Sequence, residues 1–193
     1  MCIEPAPSRE QGMTLVELVV FIVVVSVGLA GILGVLNLTT SHSADPMIQK
    51  QQLAIAQSLL KEVESKPFTF CDPDDANVET ATVTTLGAGG CATSLQGIGP
   101  TGAESRADAL NPFDNVGDYN GFAMNGITTP DGTAVSGLEN YTANVAVSWV
   151  DPATLATVAS NSGALRIDVT VNAPGLPDLT LTGYRFGYAP NSP

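Results

Sequence analysis

The chain has 193 residues, 44% hydrophobic and only 13% charged, with 7 basic against 19 acidic side chains and a formal net charge of −12. That apolar share can fill a core, which excludes a disordered acidic tail, and the length allows one domain rather than two large ones. Residues 67–193 hold Arg106, Arg166 and Arg185, no lysine and thirteen acids, a net of −10 that repels phosphate backbones, so no direct nucleic-acid partner is expected. The single histidine, His42, leaves neither a paired-imidazole metal site nor an ordinary nucleophilic triad.

In chain order, the first feature is a stretch without formal charge, residues 18–41. Its first part, 18–36, reads LVVFIVVVSVGLAGILGVL, is apolar except for Ser26, and is long enough to cross a bilayer as a helix. The apolar core is too long for a secretory signal peptide, and no A-x-A site closes it. His42 follows directly and reads as a linker or membrane-surface residue. Gly28, Gly31 and Gly34 recur every three residues, a pattern that suits close helix packing or local loosening, or simply the composition of membrane helices. Glu17 stands at the start of the run, after Gly12-Met13-Thr14-Leu15-Val16. A carboxylate at the edge of a membrane helix costs free energy, so it marks a function and seeks a partner.

The string GMTLVELVVFIVVV resembles the amino-terminal motif of type IV prepilins. The resemblance implies that a prepilin peptidase cuts between Gly12 and Met13, that Met13 is then N-methylated, and that Glu17 becomes the fifth mature residue. There it would meet the terminal amine of a neighbouring subunit; an unpaired buried charge is strongly destabilising, so the pair would set subunit register. The chain departs from the family in two places. Its leader carries only Arg9 against Glu4 and Glu10, where such leaders are usually basic, and Met13 stands where phenylalanine is more usual.

Cysteine usage agrees with the cut. Removing residues 1–12 removes Cys2 and leaves Cys71 and Cys91, which can close a loop in an oxidising compartment. A loop of about 20 residues contributes on the order of 3 kcal/mol in the chain-entropy model. Reactive or metal-binding thiols are the alternative, with no CxxC or nearby His to favour them.

A second helix is expected from Asp45-Pro46, a cap followed by a first-turn proline. The same pair marks a break where many pilins have one continuous helix. Ile48, Ile55, Leu59 and Val63, with Leu53 and Leu60 nearby, form an apolar stripe over 46–66 opposite Gln49, Lys50, Gln57, Lys61 and Glu64. Residues 67–137 are rich in Gly, Thr, Asn and Pro and read as a long connection with a few short strands. Strict alternation follows: Tyr141, Ala143, Val145, Val147 and Trp149 share one face, and Leu165, Ile167, Val169 and Val171 another. Leu179 and Leu181 continue the pattern, whereas Tyr184, Phe186 and Tyr188 fall on the opposite phase, which predicts a bulge at Gly183. Three strands packed on the amphipathic helix give an α+β head, and the prepilin resemblance implies that the whole is a type IV pilin-like fold. The implied divisions are a leader (1–12), a transmembrane and assembly helix (13–41), an amphipathic helix (42–66) and a β-rich head with a disulfide-stapled loop (67–193).

Two acidic clusters invite a hard cation. Asp72, Asp74 and Asp75, with Asn77 and Glu79, adjoin Cys71, and Asp114 and Asp118 lie with Asn115 and Asn120. Neither has the EF-hand spacing, and both compositions also suit solvated turns, the reading favoured here. Gly87-Ala88-Gly89-Gly90 lacks the Lys-Ser/Thr ending of a phosphate loop. No carboxylate pair or nucleophile stands out, so neither an enzyme nor a cofactor is expected.

Two further stretches, SADPMIQKQQLAIAQSLLKEVESKPFTFCDPDDAN and NPFDNVGDYNGF, are similar to minor pilins of mannose-sensitive haemagglutinin (MSHA) pili, the MshD-like branch. That resemblance implies a low-abundance subunit that initiates or supports pilus assembly and adhesion. Its partners would be prepilin peptidase, other major and minor pilins and the inner-membrane assembly machinery. The location would be a single-pass bacterial inner-membrane precursor, then the pilus, cell surface or periplasm when mature. Minor pseudopilins of type II secretion share the first helix and are the close alternative. An adhesin or ligand-binding head on the same stalk is another, and a monomeric membrane-anchored enzyme is a third.

Overall fold

A computed structural model describes the backbone of residues 14–43 and 45–193, with side chains described at 14–35 and 46–193. The chain divides at Pro46 into two units, taken here in turn. The first contains one long helix, α1 (Leu15–Ser43). A run of valine, isoleucine and leucine has no intrinsic need to be helical in water. In lipid, however, only a helix satisfies every backbone group within one segment. Residues Leu15–Val35 suffice to cross a membrane, and 21 residues at 1.5 Å each span about 31 Å, the thickness of a hydrocarbon core.

The second unit packs helix α2 (Asp45–Glu64) on an antiparallel meander. Its strands are β1 (Ala123–Asn125), β2 (Thr142–Trp149), β3 (Ala164–Asn172) and β4 (Leu179–Phe186), in the spatial order of the chain. Ile55, Ala56, Leu59 and Val63 of α2 are buried at helical spacing and share one core with Val145, Val147, Ile167, Val169 and Val171. Fully burying each of these larger aliphatic side chains contributes roughly 1.5–3 kcal/mol. The sheet is thus four-stranded rather than three-stranded, because the short β1 adds to the free edge of β2.

Two expectations are corrected. Leu53, placed near the apolar stripe, is 39% exposed, and the position completing the buried face is Gln52, 4% exposed. Its Nε2 donates to the carbonyls of Val171 (2.8 Å) and Pro177 (3.0 Å), which makes a buried amide affordable where sheet backbone ends. The bulge at Gly183 is absent. β3 and β4 pair in unbroken register, with Ile167 opposite Gly183 and Arg166 opposite Tyr184. Leu179, Leu181 and Gly183 face the helix, while Tyr184 lies on the outer face. Gly183 answers a different demand: a Cβ there would clash with Glu64 Oε1 and stand 2.9 Å from Leu60 Cδ1, so the approach of the helix leaves no room for a side chain at this residue.

The connection between α2 and β1 is held by cross-links instead of ladders. Cys71 and Cys91 form a disulfide with a Cα–Cα distance of 5.4 Å, surrounded by Val78 and Ala81 in a small satellite core. A 3₁₀ turn (Val116–Tyr119) carries Tyr119 into the main core, where it meets Phe113 and Phe122 edge-on, ring centroids 5.0 and 6.1 Å away.

Candidate functional site

In the amino-terminal unit, Thr14 precedes the helix and its Oγ1 accepts the backbone N–H of Glu17 at 3.3 Å, as an N-cap does. Glu17 therefore occupies the first turn of α1. Unpaired amides and the positive end of the helix dipole favour a carboxylate at that position. The apolar side chains beyond it point in every direction around the helix, and Phe21, Val24 and Leu29 are each more than half exposed. Such a surface suits lipid or other apolar helices. Ser26, the one polar side chain in the run, donates to the Ile22 carbonyl at 2.7 Å and is satisfied inside the helix. A Cβ added at Gly28, Gly31 or Gly34 would meet nothing within 4 Å, so no contact within the described residues calls for these glycines. Gly12 and Met13 lie outside the described residues.

In the head, the structure rearranges the two acidic clusters. Asp75 is buried and fully engaged: Oδ1 accepts the amides of Asn77 and Ala92, and Oδ2 those of Thr93 and Ser94. These bonds, that of Ala92 foremost, hold its carboxyl far below the usual range. It organises the disulfide loop and has no oxygen left to offer. Gly90 serves the same loop, since a Cβ there would sit 1.9 Å from the Thr85 carbonyl oxygen.

Asp118 caps its own 3₁₀ turn, Oδ2 accepting from Asn115 N at 2.7 Å and Asp114 N at 3.1 Å, while Oδ1 accepts from Gln96 Nε2 at 2.8 Å. Asn115 Oδ1 accepts from Gly117 N, and Asn120 Oδ1 accepts from Val147 N. Asp118 and Asn115 carry turn chemistry, whereas Asn120 ties the turn to strand β2. Asp72, Asp74 and Asp114, read as members of separate clusters, come together with one carboxylate oxygen of each within 4.8 Å of the others. Glu104, Asp114 and Asp118 form a second such triad. Burial first, and then the neighbouring acids, push Asp114 up to about 6 and Glu104 up to about 7, and burial raises Asp118 as well.

Sequence reading missed Glu104, an isolated acid between glycine-rich stretches, and it missed the main polar tie of the head. Glu62 of α2 accepts from Arg106 Nε (2.7 Å) and Nη2 (2.8 Å) and from the Tyr119 hydroxyl (2.8 Å). Arg106 Nη1 also donates to the carbonyls of Thr128 and Thr129, and its guanidinium lies 5.4 Å from the centre of the Phe122 ring. Burial alone would raise the Glu62 carboxyl; Arg106 and Tyr119 outweigh it and hold it low. Burial, then the charge of Glu62, pushes the Tyr119 hydroxyl well above its ordinary range. The available signal was charge scarcity: one of three arginines in an acidic head lies in an otherwise structureless loop.

Residues 7–33 match the prokaryotic N-terminal methylation motif, the prepilin-type amino terminus of type IV pilins and pseudopilins. Together with one apolar helix and an α+β head, the match supports a type IV pilin-like or pseudopilin-like protein and fits a single-pass inner-membrane precursor. The motif implies processing by prepilin peptidase and assembly with other pilins. No curated protein and no solved structure matches the chain.

Proposed function

We propose that this chain is a minor pilin of the MSHA type, cut between Gly12 and Met13, methylated at Met13 and incorporated into a pilus, where it initiates or supports assembly and adhesion. The observation that carries the reading is the prepilin motif over residues 7–33 running into a long apolar helix, most of whose large side chains are exposed among the described residues. Glu17 is the assembly residue: in a packed bundle of such helices its carboxylate needs a cation, and the terminal amine of a neighbour supplies one. The two stretches resembling MSHA minor pilins favour a pilus over a secretion pseudopilus. One of them, NPFDNVGDYNGF, builds the 3₁₀ turn and the aromatic core of the head. The proposed divisions are the leader 1–12, the membrane and assembly helix 13–41, the amphipathic helix 42–66 and the head 67–193.

Intact-mass and peptide analysis of the protein from membranes, with and without the peptidase, tests the processing step. A mature chain starting at methylated Met13 is expected; a chain retaining residues 1–12 in the peptidase-positive strain overturns the reading. Deleting the gene then separates the branches. Lost or sparse pili support the minor pilin, lost secretion with intact pili supports a pseudopilin, and intact but non-adhesive pili support an adhesive head.

A further inference from the structure

Among the described residues the sheet ends in two unequal edges. β1 is three residues long and too short to template much pairing. β4 runs for eight residues, LTLTGYRF, about 26 Å at the rise of a strand. Its backbone groups divide by register. Val150 N donates to Ala164 O and Gly187 N to Gly163 O, so β3 gives its even-numbered positions to β2 and its odd-numbered ones to β4. Thr180, Thr182 and Tyr184 therefore turn their N–H and C=O groups away from the sheet, and no other backbone bond reaches them among the described residues. On the outer face Thr180 Oγ1 meets Thr170 Oγ1 at 2.8 Å and Thr182 Oγ1 donates to Asp168 Oδ1 at 2.6 Å. The strand is thus held in place while its outer edge stays bare.

Proline, lysine, a bulge or an inward charge usually protects such an edge. β4 has no proline, lysine or acid, and its register with β3 is unbroken. Its one inward charge is Arg185, half-buried on the helix-facing side opposite Leu165. Arg106 is committed to Glu62 and Arg166 to Asp168, whereas Arg185 has neither an ion pair nor a hydrogen bond among the described residues. It lines a cavity of about 220 Å³ at the end of the strand with Phe68, Phe186, Tyr188 and Ser192, and no acid lines it. A strand added to β4 would leave the guanidinium buried and uncompensated unless it brought a carboxylate, so this residue selects the partner. A second copy of the chain is the wrong one. Neither of its edge strands carries an acid, and Asp178, just before β4, already accepts from Asn172 Nδ2 at 2.7 Å.

We infer that the β4 edge receives an extended strand of a different pilin subunit, which pairs with the backbone of Thr180, Thr182 and Tyr184 and sets an aspartate or glutamate against Arg185. Only an extended polypeptide matches a row of outward N–H and C=O groups, so the occupant is a strand rather than a lipid or a small molecule. The odd-numbered positions of β4 are the ones not hydrogen-bonded to an added antiparallel strand, where facing Cα atoms come within about 4.5 Å. Arg185 sits at such a position, close enough for a charge-assisted bond to the carboxylate across from it. The same charge turns away a second copy, which suits a subunit that joins unlike neighbours. The inference rests on the reading that the chain enters a filament with other pilins, and the test separates the two.

The test compares amide hydrogen exchange, read by mass spectrometry, for the full chain in detergent micelles and in filaments sheared from cells. In micelles Leu181, Gly183 and Arg185 should exchange slowly and Thr180, Thr182 and Tyr184 fast. In filaments the second set should slow at least about tenfold. Thr182→Pro removes an N–H that β3 does not use, so it should cut incorporation at least about tenfold with little change in the urea midpoint of the head. Thr182→Val, which keeps that N–H, should incorporate normally. Arg185→Glu should fail as Thr182→Pro does, and Arg185→Lys should retain most incorporation. Should Thr182→Pro fold poorly, the exchange measurement on the wild type and the two Arg185 variants still decide. A chain present in filaments with the three amides still fast, or Arg185→Glu incorporated as well as wild type, overturns the pairing and leaves the pilin reading standing. A chain absent from filaments overturns both.

Discussion

Replacing Arg106 by methionine keeps most of the side chain's length and apolar stem but removes its charge and its five hydrogen bonds to Glu62, Thr128 and Thr129. The pair is mostly out of solvent, with side chains 6% exposed for Arg106 and 18% for Glu62. Removing one partner of a buried pair costs about 3–5 kcal/mol, because the other charge stays behind without compensation. Glu62 keeps the Tyr119 hydroxyl as a donor, which places R106M near the lower end, about 3 kcal/mol. For a head of this size that corresponds to a fall in Tm of about 10 °C. Glu62→Gln keeps an acceptor for Arg106 but leaves its guanidinium charge, 6% exposed, without a counter-charge, so it should cost a comparable amount, about 3 kcal/mol. In the double variant the two losses overlap, so the cycle should show a coupling above about 1 kcal/mol. Urea unfolding in detergent, followed by fluorescence of Trp149, reads the head selectively, since this single tryptophan lies on β2 against Phe68, ring centroids 5.8 Å apart. A loss below about 1 kcal/mol for R106M, typical of an exposed ion pair, would refute the reasoning. So would strict additivity of the two single changes.

Three further outcomes are expected. Changing both Cys71 and Cys91 to serine releases a closed loop and should lower head stability by about 3 kcal/mol, measured by the same urea titration; an unchanged midpoint counts against the staple. Gly183→Val forces a side chain into Leu60 and Glu64 and should destabilise the head by about 1–3 kcal/mol, whereas Thr182→Val, one residue away on the outer face, changes it little. Glu62 has a carboxyl pKa held below its ordinary 4.5 in the folded state, so its contribution is present above pH 4.5 and lost as pH falls through the folded value. The gap in urea midpoint between wild type and Glu62→Gln should therefore narrow on acidification below pH 4.5, and a gap that widens contradicts the sign.

Much of this protein was legible without coordinates because local physics dictated it. A 19-residue stretch interrupted only by Ser26 has one stable form in lipid, and a carboxylate at its entrance is too costly to be incidental. Period-two alternation placed Val145, Val147, Ile167 and Val169 inside, and 3.6-residue periodicity did the same for Ile55, Leu59 and Val63. The two cysteines that survive the predicted cut are the pair the head joins. Other features depend on separations in space that no local pattern encodes. Gly183 looked like a bulge because its reason, the approach of Leu60 and Glu64, lies some 120 positions back along the chain. Asp75 and Asp74 are neighbours of one composition, yet one is sealed by backbone amides and the other left to face Asp114. Gln52, Glu62 and Arg106 are polar residues that a pattern argument sends to the surface. They are wholly (Gln52) or partly (Glu62, Arg106) taken out of solvent because carbonyl ends, a hydroxyl and an opposite charge arrive from distant segments to satisfy them, and only the folded chain brings those partners within bonding distance.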